Sequence, residues 1–356
     1  MNKKRSVLLP LCLSAVMVLY LLVSARPLGT ELHFIPRWTA DVSRPVMAHD
    51  QMPDAVEGAI PFKLAQMLGY ITEDGTVLRN TTFDYKATIS ARHYAPYGTH
   101  TQPLPFYNSD GTTAGTIDGT GFPYFTEDAE YLFLPGGASF ARVGDGGALL
   151  WRYEAYAPIT AFATAAAGCV AGLADGTVIV FDNDGAIEQQ FAPGGSDYPV
   201  ILGVALSAAG DLVACVCGQE RQRFVLAKTQ NGHTEIIYHQ YLDHAVTRQV
   251  PVQFSRDARS VYFASANGLG IVHTESHKRA HLALTGNILS LKEDDAGNLY
   301  ILSRNGSDCT VSIMQPFATY VGAFSFRAQS VCIAVKGNSL FVGRDGSISR
   351  IDIVEQ

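Results

Sequence analysis

Residues 251–264 read PVQFSRDARSVYFA: a short alternating strand, a polar turn at Ser255-Arg256-Asp257-Ala258, then a second strand that is almost wholly apolar. The same phrase recurs as GFPYFTEDAEYLFL (121–134), AFATAAAGCVAGL (161–173), GVALSAAGDLVACV (203–216), LSLKEDDAGNLYIL (289–302) and VCIAVKGNSLFVG (331–343). Aligned at the turn, the copies stand roughly 37 to 48 residues apart, the length of one four-stranded unit in a repeating β architecture. The pattern is that of strands and not of helices.

Most copies run on through a tight turn into a third strand. Ala174-Asp175-Gly176 precedes TVIVF, Ala266-Asn267-Gly268 precedes LGIVH, and Arg344-Asp345-Gly346 precedes SISRIDI. Asp-Gly and Asn-Gly supply the positive φ that tight hairpins require. A weaker copy opens the series: FKLAQMLGYI, the turn Thr72-Glu73-Asp74-Gly75, then TVLRN. Residues 60–356 shared among seven copies give about 42 residues each, one blade. The expected fold is all-β, a seven-bladed β-propeller. The last copy offers three strands only, and an unpaired blade edge is a liability; Leu32-His33-Phe34-Ile35 is the candidate to supply the fourth.

Phe254-Ser255-Arg256-Asp257-Ala258 before SVYFA, and Leu206-Ser207-Ala208-Ala209-Gly210 before DLVACV, carry a resemblance to the bacterial propeller repeats of the WD40-like, TolB-type and YVTN-type families. Those repeats place Ser-Pro-Asp-Gly between two strands. No copy here has all four residues, and the Trp-Asp pair of eukaryotic WD40 repeats is absent. The resemblance implies a propeller over about four fifths of the chain and leaves the activity open.

Upstream, Lys3-Lys4-Arg5 precedes an uncharged apolar run over residues 7–25. About 19 residues can just cross a hydrocarbon core as a helix. The basic cluster would stay cytoplasmic and place the rest of the chain on the far side. Two readings stand: a signal peptide cleaved after Val23-Ser24-Ala25, or an uncleaved anchor, which the length of the run favours. A lipoprotein reading at Cys12 fails, because Leu11 is not small and the preceding apolar stretch is too short. Residues 26–59 hold Pro27, Pro36, Pro45 and Pro53 without apolar periodicity and read as an extended linker. The expected location is the cell envelope, periplasmic or anchored in the inner membrane. Hydrophobic residues make up 47% of the chain, charged ones 17%, and the net charge is −7. This suits a turn-rich all-β domain and argues against nucleic-acid partners.

Cys169, Cys215, Cys217, Cys309 and Cys332 stand in apolar strand contexts and read as small buried hydrophobes, not a disulfide framework. His273, His277 and His281 are four apart. On a helix that would suggest a metal site; here they fall on strand, turn and strand, the pattern of an outer hairpin. Asp182-Asn183-Asp184-Gly185 opens like a calcium loop, but Pro193 stands where the closing glutamate belongs. Glu127-Asp128 and Glu293-Asp294-Asp295 occupy equivalent turns. No Gly-x-Ser-x-Gly, phosphate loop, His-Glu-x-x-His or Cys-x-x-Cys occurs. No catalytic residue, metal or cofactor is expected.

One stretch interrupts the period: ARHYAPYGTHTQPLPFYNSDGTTAGTIDGTG, residues 91–121. Read as a loop between the first two blades, it carries Tyr94, Tyr97, His100, Phe106 and Tyr107. Aromatics in a polar loop are typical of recognition surfaces. The functional expectation is a non-catalytic scaffold or adaptor that binds another envelope protein through these five residues, held to the membrane by its N-terminal helix. The alternative is a glycan hydrolase or lyase acting in the central channel. The inner strands AFATA, ILGVALS and VPVQFS are apolar and small, which favours binding.

Overall fold

The computed structural model describes residues 13–20, 32–46, 58–98, 103–230 and 232–355. The chain divides into two units, Met1–His33 with Val354–Gln356, and Phe34–Ile353. In the first, residues 13–20 are helical. The expected anchor or signal segment lies mostly outside the described residues, among which no helix is long and apolar enough to cross a membrane.

The second unit is a propeller of eight sheets, not seven. The inner strands are Ile60–Leu64, Lys86–Ile89, Phe122–Phe125, Ile159–Ala165, Ile201–Leu206, Val252–Phe254, Asn287–Glu293 and Val331–Lys336, in blades one to eight. Each sheet from blade two to blade seven is a four-stranded antiparallel meander in chain order. The extra blade is the stretch expected to be a loop: His93–Tyr97, Leu104–Asn108 and Thr113–Ile117 pair in series on Lys86–Ile89.

The position of a strand in its blade explains its composition. Second strands are covered on both faces by neighbouring blades, so Gly168–Leu173 and Leu212–Cys217 are buried at every residue. Strands enclosed on both faces read as continuous apolar runs. Outer strands such as His233–Tyr241 are largely exposed or half-buried. The seams hold the core: Tyr131, Phe140 and Phe181 are fully buried, with Phe140 and Phe162 5.1 Å apart and Phe140 and Phe181 5.4 Å apart between blades three and four. Gly172 lets blades four and five close up, since a Cβ there would stand 2.3 Å from Ile201.

Leu32–Asp41 completes blade eight as its outermost strand, against Ser347–Glu355. Arg37 Nε donates to Asp352 at 2.6 Å, Thr39 and Ser349 hydroxyls meet at 2.8 Å, and Val42 N donates to Gly346 O at 2.8 Å. Trp38 packs on Phe341 and donates to Glu73 O at 3.1 Å. Its indole lies against Gly75, whose φ of +94° and missing Cβ make the room.

Blade one has three strands, Ile60–Leu64, Met67–Ile71 and Val77–Thr82. In place of a fourth, buried Asn80 donates from Nδ2 to Val42 O and Arg44 O at 2.9 Å, and Val46 bridges it. The inner strand runs opposite to its neighbours. Lys336, at the end of the last inner strand, donates to Gly58 O, before the start of Ile60–Leu64; Ser330, before that last strand, accepts from Ala65 N, just past the end of Ile60–Leu64. On the other side, Tyr70, paired with Pro61, donates to Ser90 O beyond the end of Lys86–Ile89, while Lys63 Nζ reaches Ala87 O.

Candidate functional site: the central channel and the loop face

The eight inner strands enclose a channel of about 990 Å³ lined from every blade. One face of the ring carries the turns that join first and second strands. The other, the loop face, is where the chain enters each four-stranded blade. Tyr124, Phe162, Val204, Val252 and Leu291 are among the wall residues. Surrounding atoms desolvate the Tyr124 phenol and push its pKa up. At the loop face Gln249 reaches across from the start of blade six to Thr160 O in blade four.

Charge gathers at the turn-face mouth. Arg92 donates to Glu127 O, Thr164 Oγ1 donates to Asp128 at 3.1 Å, and Arg256 N donates to Glu293 at 3.1 Å, so successive blades are tied turn to turn. Asp294 is buried and accepts from Ala296 N, Asn298 and Tyr300. Its turn is thus a hydrogen-bonded structural unit. Glu293 is only 8% exposed. Burial raises its carboxyl above the ordinary 4.5; the Arg256 N–H opposes this and Asp257 adds to it. The fold therefore penalises the ionised form, and stability falls as pH rises from the ordinary value towards the raised one. Glu293→Gln, which keeps an acceptor for Arg256 N, is expected to show a Tm that gains on the parent as pH climbs through that window. A constant difference in thermal melts between pH 4 and 7 would contradict this.

Of the five residues expected to bind a partner, the four that are described do not share a surface. Tyr94 and Phe106 are each 3% exposed. Tyr94 stacks on Tyr107 at 5.2 Å and faces Tyr70, filling the seam of blades one and two; Phe106 meets His93 at 5.3 Å and Phe125 at 5.8 Å, filling the next seam. Tyr107 is half-buried. His100 lies outside the described residues. Tyr97 is half-buried on the loop face, where its ring meets exposed Phe122 at 6.2 Å. Beside it Lys86 stands 5.5 Å from the Tyr85 ring and 5.9 Å from Phe122.

The sequence reading missed the exposed aromatics of the loop face. Tyr85 (46%), Phe122 (46%), Tyr156 (107%) and Tyr198 (55%) sit where the chain enters blades two, three, four and five. Tyr85, Tyr156 and Tyr198 are single rings in short connections and Phe122 opens a strand, so the sequence set none of them apart as a group; Tyr198 between Gly195 and Pro199 was the best signal.

The histidines of the 273–281 hairpin separate. His273 Nδ1 accepts from Glu275 N and Ser276 N, His277 leans on Tyr238 of blade five at 5.5 Å, and His281 faces Ser265 at 3.5 Å. Among the described residues no group of His, Cys, Asp and Glu could hold a metal ion. The five described cysteines are free. Burial pushes the Cys169 thiol up to about 12, a poor nucleophile at neutral pH.

Fold and site together define a closed propeller with a channel of mixed apolar and polar lining and an aromatic entry face. A family model for β-propeller proteins matches residues 1–356, and the chain belongs to that family. It is 33% identical over 344 residues to an uncharacterized protein of Treponema pallidum (strain Nichols), covering 95% of this chain and 91% of that one. Among solved structures it is similar to BamB from Moraxella catarrhalis, with TM-score 0.59, 12% identity, and coverage of 90% of this chain and 100% of that one. It is also similar to the computationally designed Ika8 protein, with TM-score 0.61, 14% identity, and coverage of 84% and 97%. At these identities the two structures speak to the fold alone.

Proposed function

We propose that this protein is a non-catalytic, envelope-associated scaffold or adaptor that holds another envelope protein against its loop face. The observation that carries the reading is the exposure of Tyr85, Phe122, Tyr156 and Tyr198 on one face, at four consecutive blade entries. Large rings left in water on one face of a rigid ring mark interaction surfaces. Aromatic anchors bury much area at small entropic cost. Tyr97 belongs to this surface through Phe122, whereas Tyr94 and Phe106 are buried between blades. The basic-then-apolar N-terminus supports export with the propeller beyond the membrane.

The test is capture of the partner from the organism's own envelope extract by the full-length protein, followed by binding of the identified partner to variants. Tyr156→Ala with Tyr198→Ala is expected to weaken that binding tenfold or more, about 1–2 kcal/mol per anchor. Melting should be nearly unchanged, because both rings stand in solvent. Undiminished binding by the double variant would sink the loop-face reading.

A further inference from the structure

A groove of about 420 Å³ lies between blades five and six, beside the outer strands His233–Tyr241 and Arg279–Ala283. Its floor is Phe263 and Gly270. A Cβ on Gly270 would stand 2.1 Å from the Phe263 ring, so the glycine makes room for that ring to lie flat over it as the floor. Towards the turn face it continues into a shallower depression that shares Gln240, Tyr241 and Arg279 with it.

Charge and chemistry in this groove differ from the rest of the molecule. The chain has ten histidines and a net charge of −7. His244 and His281 line the groove, and His277 lines its extension. Arg279 lines both, and the described residues provide its guanidinium with neither an ion pair nor a hydrogen bond. The Arg37, Arg256 and Arg327 guanidiniums are by contrast paired with Asp352, Asp295 and Asp308. Tyr238 and Gln240 form the blade-five wall, and Arg221 stands 5.1 Å from the ring of neighbouring Tyr241. Asp243, beside His244 at the loop-face end, is the one carboxylate in the lining. Lys278, next to His277, is turned to Phe317 of blade seven at 4.7 Å.

We propose that this seam groove binds an oxyanion, a phosphate or carboxylate group, with Arg279 as the fixed charge and the imidazoles of His244, His277 and His281 as pH-dependent donors. A guanidinium presents a fork of donors matched to either group. An imidazole is an N–H donor when neutral and gains a charge and a second donor when protonated. Imidazole is also the side chain whose charge changes in the range between pH 5 and 8. Protonation adds positive charge around the anion, so affinity rises as pH falls, and by linkage the bound anion favours the protonated imidazoles. Asp243 works against binding and limits affinity for a simple ion.

Calorimetric titration of the full-length protein with inorganic phosphate and, separately, benzoate, at constant ionic strength set with chloride, tests this and tells the two anion classes apart. Saturable binding of at least one of them is expected at pH 6, at least fivefold weaker at pH 8. Arg279→Gln should lose it, and Arg327→Gln, which removes an exposed arginine from blade seven, should not. His277→Gln with His281→Gln should flatten the ratio between the two pH values. A melt of Arg279→Gln matching the parent would show that loss of binding is not loss of fold. No saturable binding of either anion, unchanged binding in Arg279→Gln, or equal affinity at the two pH values would each overturn the proposal.

Discussion

Removing residues 32–41 is expected to abolish the cooperative melt of the propeller and to make it aggregate. The outer strand of blade eight supplies the hydrogen-bonding partner of Ser347–Glu355, and without it that edge is open to pairing with other chains. The deletion also takes Arg37 from Asp352 and the Trp38 indole from Phe341 and the Glu73 carbonyl. Trp38→Ala alone should cost about 2 kcal/mol, below the range for a fully buried ring because Trp38 is half-buried. Circular dichroism melts and light scattering on the truncated and full chains give the answer. Coincident melts would mean that the ring closes without this strand.

The second large effect lies in blade two. Phe106→Ala and Tyr94→Ala should each destabilise by about 3–4 kcal/mol, since both rings are almost wholly buried in inter-blade seams. Denaturant unfolding should show lower midpoints, while partner binding by the folded fraction should persist. A small stability change together with lost binding would instead place these rings on the recognition surface.

The repeat was legible because enclosed second strands must be apolar at every residue and their turns polar, so GCVAGL and LVACVC announce themselves. Blade two hid because its strands break those habits. Pro96 and Pro105 stand within strands, paired with Ala87 and Thr116, and proline usually speaks against a strand. Its first turn, Ser90-Ala91-Arg92, has neither the Asp nor the Gly of which at least one marks the first turn of most other blades. Closure by the N-terminal strand could be foreseen from the missing fourth strand of the last copy. The direction of the inner strand of blade one could not, because alternation along a strand is the same read either way. The His273, His277 and His281 spacing was equally mute: only the turn geometry shows that the rings point to Phe317, Tyr238 and Ser265.

The three-stranded first blade makes the ring a matter of parity. An even-stranded module hands the chain back on the face where it received it, so blades two to seven could be excised or duplicated in whole units without disturbing polarity. Blade one takes the chain in at Gly58 on the turn face and releases it at Phe83 on the loop face. A second copy placed in tandem would receive the chain on the wrong side. Growth or shrinkage of this ring is therefore confined to its even modules, with blade one and the N-terminal strand as fixed brackets around them.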